Sequence, residues 1–334
     1  MITAYAAESA GAAFAPISYE PGPLAADAVE IAVKHCGICH SDLSMWQNEW
    51  GMSRYPFVPG HEVVGTVSVV GEGVKHLRVG QRVGLGWQSG YCMTCPTCMG
   101  GDHNLCGQAK GTIIGRHGGF ADKVRAQAAS VVALPDGLDM ASAGPLLCAG
   151  ITVFNPLVQF AIKPTDKVGV VGIGGLGHLA LQFVRAWGCE VTAFTSSQSK
   201  ADEARSFGAQ QVVDSRDPEA LKAVAGQFDL IISTVNVKLD WNTYVAALKP
   251  KGRLHLVGAT LEPLNLQVFP MLMGQRSVSA SPVGSPKVMA EMLAFAALHN
   301  IKAQTEHYSF AQINEAMARV ESGQARYRVV LDRD

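Results

Sequence analysis

A short apolar strand, Val168-Gly169-Val170-Val171, runs straight into Gly172-Ile173-Gly174-Gly175-Leu176-Gly177 and then into 179–187, where apolar residues recur at helical spacing. A G-x-G-x-x-G triplet alone is weak; between a buried strand and a helix it has a physical reason. Gly172 makes the tight turn, Gly174 lets the backbone approach a pyrophosphate, and Gly177 lets the helix lie close on the strand. Strand and helix patterns then alternate through 190–194, 200–207, 211–213, 218–225, 229–233, 241–248 and 253–257. That alternation requires βαβ units, and these build a parallel sheet with helices on both faces. The fold class is α/β with a Rossmann doubly wound sheet, and the motif predicts dinucleotide binding. The competing reading is a glycine-rich turn in an unrelated α/β protein.

The residues after the second strand choose between the two nicotinamide cofactors. An NAD site usually carries Asp or Glu there, on the adenosine ribose hydroxyls. This chain has Thr195-Ser196-Ser197, with Lys200 three residues on. A carboxylate would repel a 2′-phosphate, whereas three hydroxyls and an ammonium receive it by hydrogen bonds and charge. NADP(H) is therefore expected over NAD(H), although Ser197 also suits the cap of a helix beginning near Lys200.

Ahead of this unit the texture differs. Short β-branched runs at 29–33, 63–70, 81–85, 121–124 and 131–134 are parted by turns such as Gly71-Glu72-Gly73, the pattern of a small antiparallel β domain. Helical patterns begin near Asp139, a suitable N-cap, and return at 287–299 and at 310–322 after Ser309, with a last strand at 327–331. The 334 residues are 48% hydrophobic and 16% charged, which excludes disorder. A net charge of −1 without a basic stripe argues against a nucleic-acid partner. There is no leader pattern and no apolar run of spanning length, so a soluble, cytoplasmic protein with no membrane partner is expected.

Cysteines in such a chain are expected as thiols or metal ligands. Four of the eight lie in Cys92-x-x-Cys95-x-x-Cys98-x(7)-Cys106, enough thiolate in one loop for a closed, tetrahedral structural zinc. An iron–sulfur cluster is the rival. In the bacterial ferredoxin motif, however, the fourth cysteine follows sooner and precedes proline, whereas Cys106 precedes Gly107. A second site is foreshadowed by Cys39, Ser41 and Asp42 and, after a loop rich in Trp and Pro, by His61 and Glu62. Thiolate with imidazole suits zinc, and a catalytic zinc takes three protein ligands and keeps one position open. Asp42 is expected to accept the free N–H of His61, with Glu62 beside it. The third ligand must come from elsewhere. Cys148 is the candidate, although a lone cysteine among apolar residues is usually just buried, as Cys189 is read to be.

Taken in order, Gly37-Ile38-Cys39-His40-Ser41-Asp42, Gly60-His61-Glu62, the four-cysteine loop, Leu147-Cys148-Ala149-Gly150 and the glycine motif resemble the zinc-dependent medium-chain alcohol dehydrogenases over essentially the whole chain. Thr195-Ser196-Ser197 with Lys200, and Arg326-Tyr327-Arg328, are most similar to the cinnamyl alcohol dehydrogenase branch. The resemblance implies a GroES-like β-rich catalytic domain at 1–149 and 285–334, with a structural zinc lobe at 92–106 and the Rossmann domain inserted at 150–284. It implies Cys39, His61 and Cys148 on a catalytic zinc, hence two zincs per chain, and Ser41 as the hydroxyl that relays the alcohol proton. His40, Gly172, Gly174, Gly175, Leu176, Gly177 and Arg328 fall among the implied cofactor contacts. Trp50 and Trp87 fall at the walls of the substrate pocket, with Trp46 close by or in the core. Two departures stand out. Many relatives end the proton relay on a histidine where this chain has Ser44, and Pro282 replaces a bulky aromatic of the branch.

The expected function is zinc-dependent hydride transfer between a primary alcohol or aldehyde and NADP(H). The runner-up is an NAD-dependent secondary-alcohol or polyol dehydrogenase, although polyol enzymes of the superfamily commonly carry glutamate in place of Cys148. A rival of another class is a non-catalytic zinc or redox-sensing module switched through Cys36-x-x-Cys39. The partners implied are a small alcohol or aldehyde and a second or further copies of the chain, as homodimer or homotetramer, through a sheet edge near 277–283.

Overall fold

The computed structural model describes residues 1–333; Asp334, the end of the expected 285–334 segment, lies outside the described residues. The strands in chain order are β1 (Ile2–Ala6), β2 (Ala15–Tyr19), β3 (Ala28–Ile38), β4 (Glu62–Val70), β5 (Arg82–Leu85), β6 (Gln88–Gly90), β7 (Lys110–Gly111), β8 (Lys123–Gln127) and β9 (Val131–Ala133). There follow β10 (Lys167–Val171), β11 (Glu190–Thr195), β12 (Gln211–Asp214), β13 (Phe228–Ser233), β14 (Leu248–Leu256), β15 (Ser277–Ala280), β16 (Thr305–Ser309) and β17 (Arg328–Asp332). The chain divides into two units. One joins residues 1–151 to the segment from Val283 onward, and the other is Thr152–Pro282.

In the first unit β3 is the hub, antiparallel to β4, to β8 and to the C-terminal β17. The sheet runs β16-β17-β3-β4-β5-β9, with β8 also on β3. Its β-branched residues, among them Val29, Ile31, Val33, Val63, Val67 and Val83, are buried in one core with Phe120 and Leu331. The 29–33 run is thus the middle of an eleven-residue strand. Two elements left no pattern in the sequence: β2, which holds Pro16 and is largely exposed, and β16, a polar edge strand. The run at 121–124 starts late because Ala121 forms an isolated bridge with Ala4 instead.

In the second unit six strands run parallel in the order β12-β11-β10-β13-β14-β15. The order reverses at β10, and ligands of such sheets bind outside the carboxyl ends of the strands at that switch point. β10 leads into the glycine motif and the helix Gly177–Trp187. Gly172 sits at φ +87°, a conformation that favours glycine. A Cβ on Gly177 would lie 1.9 Å from the Gly172 carbonyl oxygen, so only glycine lets the helix dock there. A Cβ on Gly174 would stand in open space, which leaves the cradle clear. The apolar helix Val268–Gly274 was not anticipated; its side chains face outward rather than into a periodic buried stripe. No single helix among the described residues is long and apolar enough to cross a membrane.

His255 on β14 is fully buried, with its ring nitrogens 2.9 Å from Ser279 Oγ and 2.9 Å from Ser281 Oγ. Burial, with Arg253 nearby, pushes its pKa down to about 4. Between that value and about 6.5 the unfolded chain binds a proton that the folded one refuses, so this residue's contribution to stability is lost as pH falls through that window. Denaturant titrations should show the wild type losing on the order of 3 kcal/mol more than His255→Gln between pH 6.5 and pH 4. Equal losses in the two proteins would show that the ring titrates freely in the fold.

Candidate functional site

The register of β3 against β4 builds the centre. Gly37 lies opposite Glu62, so Cys39, just past the end of β3, comes beside His61, just before β4. Gly37 has to be glycine, since a Cβ there would stand 2.0 Å from Glu62 Oε2. The turn Gly144–Leu147 brings in the third sulfur. A Cβ on Gly144 would meet the Glu62 carbonyl at 2.8 Å, so the backbone approaches closely enough to aim Cys148 inward. Cys39 Sγ and Cys148 Sγ are 3.8 Å apart, and His61 Nε2 is 3.4 Å from Cys148 Sγ. Zinc bonds of about 2.3 Å to sulfur and 2.0 Å to nitrogen at tetrahedral angles require roughly 3.8 Å and 3.5 Å for these edges. The donor set therefore fits zinc. The Cys148 thiol hydrogen-bonds Cys39 and holds the Cys39 pKa well below its ordinary range against the effect of burial. The same bond, with burial, holds Cys148 above its ordinary range. A divalent cation bound here would take both sulfurs as thiolates.

Around the three ligands stand two buried carboxylates with different partners. Asp42 Oδ1 is 3.0 Å from His61 Nδ1 and 2.9 Å from the Gly60 N–H, while Oδ2 accepts from the Cys39 N–H at 2.9 Å. With Nδ1–H donating to Asp42, the Nε2 lone pair is left facing the sulfurs. Glu62 Oε1 accepts from Arg328 Nη2, which also donates to the Ile38 carbonyl at 3.2 Å. Glu62 Oε2 has no hydrogen-bond partner, and a Glu62 oxygen, both sulfurs and a His61 nitrogen lie within 4.8 Å of one another. Burial pushes the Glu62 carboxyl up to about 7 against the pull of Arg328. Arg328, expected among the cofactor contacts, lies buried against Glu62.

The remaining expected residues fall into three groups. Ser41 Oγ is 3.8 Å from Cys39 Sγ and half-buried, Ser44 is buried, and His40 is exposed at the start of the helix His40–Trp46. Trp87 meets the His61 ring edge-on at 5.0 Å and Trp50 meets Trp87 at 6.1 Å; Met45, Phe57 and Ile113 back this aromatic wall, and Ile114 joins it. Sequence reading missed those four, which carry no motif. Trp46 bridges this wall and the first-unit core, donating to the Ala12 carbonyl at 2.8 Å and packing on Phe14. In the second unit, Thr195 Oγ1 accepts from the Ser197 N–H at 3.2 Å, so this hydroxyl shapes the turn. Ser196 is exposed, Ser197 Oγ is 2.7 Å from Ser199 Oγ, and Lys200 Nζ donates to the Ile173 carbonyl of the glycine motif at 3.0 Å.

The four-cysteine loop closes on itself. Cys92 and Cys98 sulfurs are 3.9 Å apart, Cys95 and Cys106 3.8 Å, and Cys92 and Cys106 3.6 Å, the edges of a tetrahedron of zinc–sulfur size. N–H groups of Thr94 and Cys95 hold the Cys92 thiol down at about 6.

An alcohol dehydrogenase GroES-like domain matches residues 25–136, and a zinc-binding dehydrogenase domain matches 175–297. Aldehyde reductase AdhA of Synechocystis sp. is 63% identical over 331 residues, covering 99% of this chain and 98% of that protein. Cinnamyl alcohol dehydrogenase 7 of Arabidopsis thaliana is 40% identical over 336 residues, covering 98% and 94%. Among solved structures, the Sorghum bicolor cinnamyl alcohol dehydrogenase SbCAD4 superposes with a TM-score of 0.95 at 38% identity, covering 99% of this chain and 97% of that one. The Helicobacter pylori CAD complexed with NADP(H) gives 0.90 at 30% identity, covering 99% and 97%. The Rossmann sheet and GroES-like domain expected from the sequence are the fold of these relatives.

Proposed function

We infer the reaction from a plain premise: the chain belongs to the zinc-binding alcohol dehydrogenase family with a GroES-like domain. It is a zinc-dependent oxidoreductase that transfers hydride between an alcohol and NADP⁺, or from NADPH to an aldehyde. The observation that carries this reading is the convergence of Cys39, His61 and Cys148 at zinc-bonding separations in a buried site. Zinc bound there supplies Lewis-acid stabilisation of negative charge on the substrate oxygen. NADP(H) held at the glycine turn would supply the hydride chemistry.

The chain's own residues do the rest. Asp42 fixes the His61 tautomer and, through the Gly60 and Cys39 N–H groups, the loops on either side. Ser41 takes the alcohol proton at Oγ and, being half-exposed, hands it to water, since Ser44 offers no imidazole to extend the relay. Trp87 and Trp50 keep water from the His61 side and give a flat apolar wall to primary alcohols and their aldehydes. Glu62 balances the buried charge of Arg328. Ser196, Ser197 and Lys200 receive the 2′-phosphate, and the cleared glycine turn takes the pyrophosphate. The 2′-phosphate reading draws support from the relative crystallised with NADP(H). We place the protein in the cytoplasm, where cysteines serve as thiols or metal ligands, as the grouping of six of the eight into two ligand sets suggests.

A second copy of the chain belongs to the proposal. β15 is a sheet edge, and the helix Val268–Gly274 beside it in sequence exposes Val268, Phe269, Leu272 and Met273, each at least 67%. An outward apolar face of this kind calls for cover, and a homodimer or homotetramer supplies it.

Three outcomes follow. Cys148→Ala should retain the wild-type fold by circular dichroism, lose one zinc of two and lose turnover by at least about a thousandfold; near-normal turnover would remove Cys148 from the ligand set. Lys200→Ala should raise KM for NADPH about tenfold with little change for NADH, and equal change for both would dismiss the 2′-phosphate assignment. Phe269→Glu with Leu272→Glu should convert the assembly to monomers by light scattering; an unchanged mass would place the interface elsewhere.

A further inference from the structure

The second unit holds a cation that the sequence pattern did not single out. β11 and β12 are parallel neighbours with Thr195 opposite Asp214, and the Ser215 N–H donates to the Thr195 carbonyl at 3.0 Å. The turn after β12 therefore lies beside the Thr195-Ser196-Ser197 turn, at the carboxyl edge where this sheet type binds its ligand, and neighbouring strands are only about 4.8 Å apart. Arg216 is the second residue of that turn. Its N–H is tied to Asp214 Oδ1 at 2.9 Å, which fixes the backbone, while its guanidinium approaches the same carboxylate only at 3.6 Å and is 67% exposed.

The charge balance asks for a second cation at this edge. A 2′-phosphate carries between one and two negative charges near neutral pH. Lys200 brings one positive charge, and its ammonium already serves the Ile173 carbonyl. The Thr195 hydroxyl is engaged in its own turn. Asp214, at the end of the adjoining strand, would repel a phosphate unless something opposes it. A guanidinium answers both needs, since its fork can give two parallel hydrogen bonds to phosphate oxygens and its charge offsets the carboxylate.

We propose that Arg216 is a specificity residue for the phosphorylated cofactor, closing on the 2′-phosphate from the β12 side while Ser196, Ser197 and Lys200 hold it from the β11 side. This rests on the NADP(H) reading above, and the test separates the two. The zinc-loaded protein is titrated calorimetrically with 2′,5′-ADP and with 5′-AMP, fragments that differ by the phosphate in question. The wild type should bind 2′,5′-ADP more tightly than 5′-AMP. Arg216→Ala should weaken 2′,5′-ADP about tenfold and 5′-AMP less than about twofold, with Arg216→Lys in between. The same loss should appear when Arg216→Ala is made on an Asp214→Asn background. A loss that vanishes on that background would mean that Arg216 only masks Asp214, and would overturn the direct contact. An unchanged Arg216→Ala in a discriminating wild type overturns this inference alone, whereas a wild type that binds both fragments alike overturns the NADP(H) reading and this inference with it.

Discussion

The ion pair between Glu62 and Arg328 is the interaction on which the metal centre rests. Both side chains are buried, the carboxylate completely, and they come from strands that adjoin opposite edges of β3. Removing either partner of such a pair costs roughly 3–5 kcal/mol, because it strands the other charge away from water. Arg328 also holds the Ile38 carbonyl, one residue before the first zinc-type cysteine, so a single guanidinium ties the strand that ends just before Cys39 to the strand that begins after His61. It further supplies positive charge where two sulfurs and two carboxylates crowd together. With neutral His61 and Asp42 on its far side, the site tolerates a divalent cation without becoming strongly cationic, which suits a Lewis acid that must still release an uncharged product.

The two cysteine clusters solve different problems with the same chemistry. In the 92–106 loop four sulfurs occupy every corner of a tetrahedron, so no position is left for substrate and the ion can only brace the loop. At the other centre two sulfurs and one nitrogen leave a corner open, and a Glu62 carboxylate oxygen lies within 4.8 Å of all three. Reactivity here is a matter of one missing ligand.

How much of this was legible in the sequence depends on how local each signal is. The βαβ train and the glycine turn are written in consecutive residues, and the parallel six-stranded sheet followed from them. Cys39 and His61 could be read as a pair because each adjoins a carboxylate. Cys148 could not be read from its own neighbours: among Leu146, Leu147 and Ala149 it looks like core, and only family resemblance raised it. Arg328 was visible as a charge but not as the partner of Glu62, since 266 positions separate them and nothing local encodes the pairing. The bond from the Ser197 N–H to the Thr195 hydroxyl is set by the turn, which a sequence does not spell out.

The compactness of the four-cysteine loop has a consequence for biosynthesis. A ring of this length closes at little entropic cost, so its ligands can meet as soon as residue 106 has left the ribosome. The other centre needs Cys39, His61 and Cys148 together, and its charge is not balanced until Arg328, 180 positions after Cys148, has been translated and its strand paired with β3. The brace is available early in translation. The reactive pocket is completed later than the brace, because Glu62 has no buried cation beside it until Arg328 is in place.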